Sequence, residues 1–443
     1  MRDHQKQWAT KIGFIFAAAG SAIGLGNLWK FPYLMGSNGG FWFLIAYLIF
    51  VCILGVPVMM VEMSLGRKTG SNPVHAYASI SKSARTVGVM GVLTAFLILS
   101  YYSVIGGWIV KYMVSYATTL AAPASFGQFI GGTWEPIIYH FVFMLATAVI
   151  CVCGVRGIEK ASKIMMPALF VILIIILVRS ITLPGGSGGF AFMFSPRASQ
   201  FSLGSISAAL GQVFYSLSLC MGIGITYGSY LNRRENIPKS CLTVSGLDTM
   251  AALLAGLAIF PAVFSFGLEP GQGPSLIFET LPQIFSQLGA GSLFAVLFFI
   301  LVFFAAVTSS ISLLETVVSF VLEKWNIPRT RAVIITAAII FLIGVPSSLS
   351  FGSLAPFTVF GYTFFDFVGI LTDNLLLPLG GLLMCYFIGW RWKPELLADE
   401  IEQEGVSFRW RKLWIATIRF STPILILIVM IAGFINIYQT IVG

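Results

Sequence analysis

Long apolar runs separated by short polar connections form the main pattern along the chain. Each run is long enough to cross a bilayer as a helix, since about 20 apolar residues span the hydrocarbon core. We predict eleven spans, at 10–36, 41–66, 87–120, 135–153, 162–183, 205–231, 240–267, 291–323, 331–347, 356–388 and 413–440. The pattern predicts an all-α membrane protein with 11 transmembrane helices that form a single domain over residues 1–443.

Composition supports a membrane environment for the whole chain. The 443 residues are 57% hydrophobic and 10% charged, and the mean hydropathy is +0.92. A water-soluble globule of this length has a much more polar composition. The first apolar run is also longer than the apolar region of a cleaved signal peptide, and it contains the polar residues Asn27 and Lys30. We therefore do not expect it to be a signal peptide.

The net charge of +9 raises the question of nucleic-acid binding. With the N-terminus placed in the cytoplasm, most of the 26 Lys and Arg residues fall in cytoplasmic segments, and the opposite loops hold only Arg197. This asymmetry is the positive-inside rule. We therefore expect a cytoplasmic N-terminus, an outside C-terminus, contact with a lipid bilayer and no nucleic-acid partner.

Signals for an enzyme or a metal cluster are absent from the sequence. The six cysteines are scattered through the spans and show no zinc spacing or disulfide framework. The three histidines are widely dispersed, and no catalytic triad, phosphate-binding loop or dinucleotide fingerprint is found. We predict that the protein is not an enzyme and has no organic cofactor.

The first and sixth spans carry residues that weaken a helix near its middle. Gly24, Gly26 and Asn27 interrupt the first span, and Ser216 and Ser218 interrupt the sixth, with two more glycines soon after. In hydrocarbon each unpaired backbone group costs several kcal/mol, so a break at this depth needs a compensating role. Small-residue helix packing and hydroxyls bonded to their own helix are simpler interpretations of each break alone.

The two interrupted spans occupy corresponding positions in two halves of five spans. Residues 10–183 form the first half, 205–388 the second, and 413–440 an extra helix. Because five is odd, the second half enters the membrane with inverted topology. Paired interruptions of this kind indicate the central site of a secondary transporter.

An unwound backbone at the bilayer midplane offers groups for charged solutes. Half-helix N–H groups suit a carboxylate, and carbonyls freed at Gly20, Ala22 and Ile23 suit a hard cation such as sodium. Hydroxyls at 308–310 in the eighth span add further oxygen ligands.

At these residues the chain resembles the neurotransmitter:sodium symporter family, in its bacterial eleven-helix amino-acid branch. The resemblance rests on "GSAIGLGNLWKFPY" at 20–33, "NGG" at 38–40, "GQVFYSLSL" at 211–219 and "FFAAVTSSIS" at 303–312. It extends from Trp8 through the tenth span. It implies discontinuous helices 1 and 6 and sodium-coupled symport by alternating access, in which spans 1, 2, 6 and 7 rock against 3, 4, 8 and 9.

The resemblance implies two sodium ions and one substrate site. The first sodium site takes Ala22, Asn27, Ser216 and Asp248 together with the substrate carboxylate. The second takes Gly20, Ile23, Ala305, Thr308 and Ser309. The substrate site takes Ala22, Leu25, Gly26, Ile98, Tyr102, Tyr215, Ser216, Ser218, Met221, Ser309 and Leu313.

The family also has gates on either side of the substrate. Lys30 and Asp366 occupy the outer positions, and Glu323 and Tyr230 the inner ones. The arginine expected three residues before Trp8 is instead Gln5, for which Arg2 or Lys6 is a candidate substitute.

Animal members of the family bind chloride beside the first sodium. Here Asp248 can itself supply that negative charge, so we predict chloride independence; a carboxylate that merely pairs with a polar neighbour is the simpler alternative.

The implied substrate is a neutral hydrophobic or aromatic L-amino acid. No charged residue occurs among the matched pocket positions, and Gly24 replaces the aspartate of amine transporters. Leucine, tyrosine and tryptophan all remain open. A proton-coupled transporter of the same architecture, a low-flux amino-acid sensor and a channel are the competing interpretations. We expect a monomer or weak dimer in the bacterial cytoplasmic (inner) membrane.

Overall fold

The computed structural model describes residues 7–442, and their regular structure is helical throughout. The helices are α1 (Lys11–Ala22), α2 (Gly26–Ser37), α3 (Phe41–Thr69), α4 (Pro73–Ala78), α5 (Arg85–Thr119), α6 (Phe126–Gly131), α7 (Trp134–Val152), α8 (Gly154–Ile181), α9 (Ser187–Phe194), α10 (Leu203–Ser216), α11 (Ile223–Ser229), α12 (Ile237–Ser265), α13 (Leu281–Gln287), α14 (Gly291–Trp325), α15 (Arg329–Leu349), α16 (Phe364–Arg391), α17 (Glu395–Ile401) and α18 (Arg411–Gln439). Short helical turns lie at Ala198–Gln200, Leu276–Thr280 and Gln403–Gly405.

Within 7–442, nine helices are long and apolar enough to cross a membrane: α3, α5, α7, α8, α12, α14, α15, α16 and α18. Helices α1 and α2 together make a tenth candidate span, bent by 56° at its break. The prediction of an all-helical membrane protein is confirmed. Helices α10 and α11 lie in the predicted sixth span and flank a longer break, so this span is not among the ten candidates. The count of eleven spans stays a prediction.

Two predicted span boundaries differ from the structure. The fifth span begins at Gly154 instead of 162, because Gly154 adopts a φ of +69° that turns the chain directly from α7 into α8. Pro167 lies inside α8 without ending it. The tenth span begins at Phe364 instead of 356, where the Thr363 side chain accepts a hydrogen bond from the backbone N–H of Asp366 and caps the helix.

The helices pack as two groups around the breaks in the first and sixth spans. The two 35-residue helices α5 and α14 pack along each other, and α7 and α15 pack against both. Helix α3 packs against α10 and α11, and α12 packs against α1 and α3. Helix α1 also contacts α8 and α14, so the break after Ala22 lies between the two groups.

Candidate functional site

The break in the first span lies at residues 23–25, between α1 and α2. Ile23 leaves the helical conformation with a ψ of +94°. The backbone N–H of Gly24 then donates to Asn27 Oδ1 at 3.1 Å, and that of Leu25 to the hydroxyl oxygen of Tyr102 at 3.4 Å. Side chains thus satisfy two of the N–H groups that the break frees.

The break in the sixth span covers residues 217–222. Ser218, Cys220 and Gly222 have φ values of +53°, +61° and +77°. For the two non-glycine residues this left-handed conformation is costly, and such strain concentrates at functional sites. Ser218 Oγ donates to the Ser21 carbonyl at 3.0 Å, so the second break contacts the last turn of α1, next to the first break.

Glu62 is a buried carboxylate that the sequence analysis did not single out. It lies on α3 with 2% of its surface exposed, against the backbone of Cys220 and Gly222 in the second break. A Cβ atom at Gly224 would lie 2.7 Å from that of Glu62, so the approach requires glycine there. An acidic residue in the middle of an apolar span was the available signal.

The residues predicted for the first sodium site form one buried cluster. Asn27 Nδ2 donates to Asp248 Oδ1 at 2.7 Å and to Ser216 Oγ at 3.2 Å. Ser216 Oγ donates to both Asp248 oxygens, at 3.0 and 2.9 Å, and the Tyr47 hydroxyl donates to Oδ2 at 3.3 Å. Asp248 is 0% exposed and has no ion-pair partner within 7–442. The position suits a cation, because a buried carboxylate needs a compensating charge.

Oxygen atoms predicted for the second sodium site also come together, where α14 meets the end of α1. Ser309 Oγ lies 3.4 Å from the Gly20 carbonyl oxygen and 3.2 Å from that of Ala305. Thr308 Oγ1 lies 3.2 Å from the same Ala305 oxygen. Ile23 is buried at the adjoining end of α1. These hydroxyl and carbonyl oxygens are the ligand type that a hard cation prefers.

A central cavity lies between the two breaks, and all eleven residues predicted for the substrate site line it. Ser21, Gly24, Asn27 and Ile223 complete the lining. No lining residue carries a charge. The hydroxyls of Tyr102, Ser216 and Ser309 supply polar groups to the wall, and Ile98, Met221 and Leu313 supply apolar surface.

The outer gate residues are not brought together as predicted. Among the described residues no ion pair joins Lys30 to Asp366, whose Oδ2 accepts from the Thr363 hydroxyl at 2.8 Å. Lys30 Nζ instead lies 5.4 Å from the centroid of the Tyr215 ring, a cation–π contact. Asp373, two turns further along α16, is the carboxylate that interacts electrostatically with Lys30.

The inner gate residues Tyr230 and Glu323 are likewise held by other partners. The Tyr230 hydroxyl donates to Glu315 Oε1 at 2.8 Å, and Arg329 pairs with the same carboxylate. Glu323 accepts from the Asn72 backbone N–H at 3.1 Å, and its Oε2 lies 2.9 Å from Nδ1 of a histidine in α4. The predicted roles of Gln5, Arg2 and Lys6 fall on positions outside the described residues.

Comparisons with known proteins agree with this geometry. The family model described as the sodium:neurotransmitter symporter family matches residues 5–125 and 125–442. The uncharacterized sodium-dependent transporter YhdH of Bacillus subtilis (strain 168) is 40% identical over 437 residues, covering 96% of this chain and 97% of the relative. An uncharacterized sodium-dependent transporter of Haemophilus influenzae is 35% identical, covering 97% and 99%.

A solved structure extends the likeness to three dimensions. The crystal structure of MhsT in complex with L-phenylalanine superimposes with a TM-score of 0.88 at 43% identity, covering 97% of this chain and 99% of MhsT. The resemblance inferred from the motifs is therefore confirmed, as is the expectation of a transporter and not an enzyme. The chain belongs to the sodium:neurotransmitter symporter family, and is a multi-pass, sodium-dependent membrane transporter.

Proposed function

We propose that this protein is a sodium-coupled symporter that imports a neutral hydrophobic or aromatic L-amino acid by alternating access, without a requirement for chloride. The observation that carries this proposal is the central cavity, which is bounded by both helix breaks and lined by no charged side chain. A zwitterion fits such a cavity, because its two charges can be met by backbone dipoles, hydroxyls and a bound cation.

Each end of the amino acid has a partner in the proposed complex. The Tyr102 hydroxyl and the N–H groups at the start of α2 would bind the carboxylate, which would also contact the first sodium ion. The side chain would pack against Ile98, Met221 and Leu313. That MhsT was crystallised with L-phenylalanine supports an aromatic guest for a cavity of this kind.

We propose two sodium ions, one beside Asp248 and one between α1 and α14. Each charge moved across 100 mV is worth about 2.3 kcal/mol, so two ions with a zwitterion gain about 4.6 kcal/mol. At about 1.4 kcal/mol per tenfold, this sustains roughly thousandfold accumulation before any sodium gradient is counted. One ion would sustain only about fiftyfold.

The packing of the helices supports a motion of two groups. Helices α5, α7, α14 and α15 pack on one another, and α3, α11 and α12 pack with the broken first span. We propose that the second group rocks against the first, within eleven spans arranged as an inverted five-plus-five repeat. The N-terminus would lie in the cytoplasm and the C-terminus outside, in a bacterial inner-membrane protein that is a monomer or weak dimer.

The decisive experiment is uptake of a panel of labelled amino acids into proteoliposomes, with sodium or potassium outside. We expect sodium-dependent accumulation of one or more hydrophobic or aromatic amino acids above the outside concentration, unchanged when gluconate replaces chloride. Equal uptake in sodium and potassium would support proton coupling instead. Tight sodium-dependent binding without uptake would support a sensor.

Met221→Phe is predicted to change the choice of substrate. Methionine is flexible and adapts to guests of different shape, whereas a phenylalanine ring at this wall takes up space in the cavity. We expect uptake of tryptophan and tyrosine to fall about tenfold relative to that of leucine, measured as a ratio of initial rates. Met250→Phe, on the lipid-facing side of α12, is the matched control and should leave the ratio unchanged. An unchanged ratio in Met221→Phe would remove this residue from the specificity site.

A further inference from the structure

Glu159 on α8 holds the segment that precedes the first helix. Its Oε2 accepts from the backbone N–H of Ala9 at 2.8 Å, and its Oε1 accepts from the Thr10 hydroxyl at 2.7 Å. Lys163, one turn along the same helix, donates to Oε1 at 2.6 Å. Glu159 is only 3% exposed, although its partners Ala9 and Thr10 lie at the surface. Hydrogen bonds to an ionised carboxylate are stronger than those between neutral groups.

The same carboxylate completes the N-terminal cap of α1. Thr10 Oγ1 accepts from the Gly13 backbone N–H at 3.1 Å while its hydroxyl proton points to Glu159. The first turn of α1 contains no acidic residue. Glu159 therefore supplies from another helix the negative charge that the positive end of α1 favours. A side chain at Gly13 would collide with Glu159, so glycine there permits the approach.

A second anchor acts on the residue just before this segment. Trp8 donates from Nε1 to the Tyr227 carbonyl and from its backbone N–H to the Tyr230 carbonyl, both at 3.1 Å. Trp8 thus ties the segment to the sixth span, and Glu159 ties the next two residues to the fifth. In the proposed cycle α1 and α11 move together, so the Trp8 bonds can persist. The bonds to Glu159 on α8 join the start of α1 to a helix outside that moving group, so they must break before substrate can exit inward.

We propose that Glu159 is the positioning residue of the cytoplasmic gate: it latches the start of α1 to α8 while the site is closed to the cytoplasm, and it releases that segment when the site opens inward. The proposal rests on the proposed alternating-access function. It assigns to α8 a closing contact that lies apart from Tyr230 and Glu323.

Amide hydrogen exchange over residues 9–16 of the detergent-solubilised full chain tests the latch. In potassium we expect Glu159→Gln to raise exchange at least fivefold. The neutral amide accepts hydrogen bonds more weakly than the carboxylate, and it no longer forms an ion pair with Lys163. Sodium with L-phenylalanine should return exchange close to the wild-type level by favouring the inward-closed state. A merely structural defect would raise exchange equally in both salts, and that result, like an unchanged exchange rate, would overturn the proposal.

Three further variants keep the test decisive. Lys11→Gln removes an ion pair, 3.1 Å long, between the first residue of α1 and Glu235, in which the lysine side chain is 47% exposed, and should leave exchange unchanged. Thr10→Val should reproduce the effect of Glu159→Gln, whereas Thr10→Ser, which keeps the hydroxyl, should not. This pair replaces Glu159→Gln if that variant fails to fold. If sodium and phenylalanine left amide exchange in the wild-type protein unchanged, that result would contradict the proposed function. The comparison of Glu159→Gln with the wild type in potassium would still test the role of Glu159.

Discussion

Asp248→Asn is expected to raise the sodium concentration needed for half-maximal uptake at least about 100-fold. The Asp248 carboxylate is fully buried and bonded to Asn27, Ser216 and Tyr47. Asparagine preserves the shape of the cluster but removes its negative charge. A 100-fold change corresponds to about 2.7 kcal/mol, which is less than the attraction of about 4 kcal/mol between opposite unit charges about 4 Å apart at an effective dielectric constant of about 20.

The sodium dependence of uptake in proteoliposomes measures this effect. Asp399→Asn is the matched control, because Asp399 pairs with Arg411 at a site where its side chain is 57% exposed. That control should leave the sodium dependence within twofold of the wild type. If Asp248→Asn behaved like the control, the carboxylate would be a structural partner of its neighbours and not a sodium ligand. A requirement of wild-type uptake for chloride would contradict the anion role given to Asp248.

Ser309→Ala is expected to lower uptake at least tenfold and to reduce the cooperativity of its sodium dependence. Ser309 Oγ lies within 3.4 Å of the carbonyl oxygens of Gly20 and Ala305, which come from α1 and α14. Removing the hydroxyl deletes one ligand of the proposed second sodium site, at the junction of the two groups of helices. With one ion lost, the Hill coefficient for sodium should fall from near two to near one.

Ser310→Ala is the control for this substitution, at the next residue of the same helix. The Ser310 hydroxyl is buried and makes no hydrogen bond to any residue in 7–442. Its loss should leave both the rate and the Hill coefficient unchanged. Equal effects at the two positions would indicate that α14 is sensitive to packing here, and the second sodium site would then need another location.

The cavity lining could be predicted from the sequence because its residues belong to long, ordered motifs. Breaks in two apolar spans also require compensating polar groups, which narrows where the site can form. The structure places all eleven predicted lining residues on one cavity. The local sequence was therefore sufficient to predict where the cavity lies and that no charged side chain lines it.

Gate partners could not be predicted in the same way, because a long polar side chain selects its partner from several within reach. Asp366 and Asp373 lie two turns apart on α16, and which of them interacts with Lys30 depends on how that helix is placed. Glu315 and Glu323 present the same ambiguity on α14 for Tyr230. Sequence position alone cannot rank such alternatives.

The left-handed backbone conformation of residues in the second break could not be predicted from the sequence either. Glycines at 222 and 224 marked the region, yet the conformation is shared by Ser218 and Cys220. A non-glycine residue adopts it only when surrounding contacts impose it. Those contacts include the bond from Ser218 to Ser21, which comes from a distant part of the chain.

The length of α5 and α14 has a consequence for the membrane around the protein. Each has 35 residues and is about 52 Å long, whereas the hydrocarbon core is about 30 Å thick. These helices must therefore incline, project into the headgroup layers, or both, and a change in bilayer thickness acts directly on their tilt. In the proposed alternating-access cycle they form the frame against which the other helices close, so we expect the transport rate to depend on the acyl-chain length of the lipids.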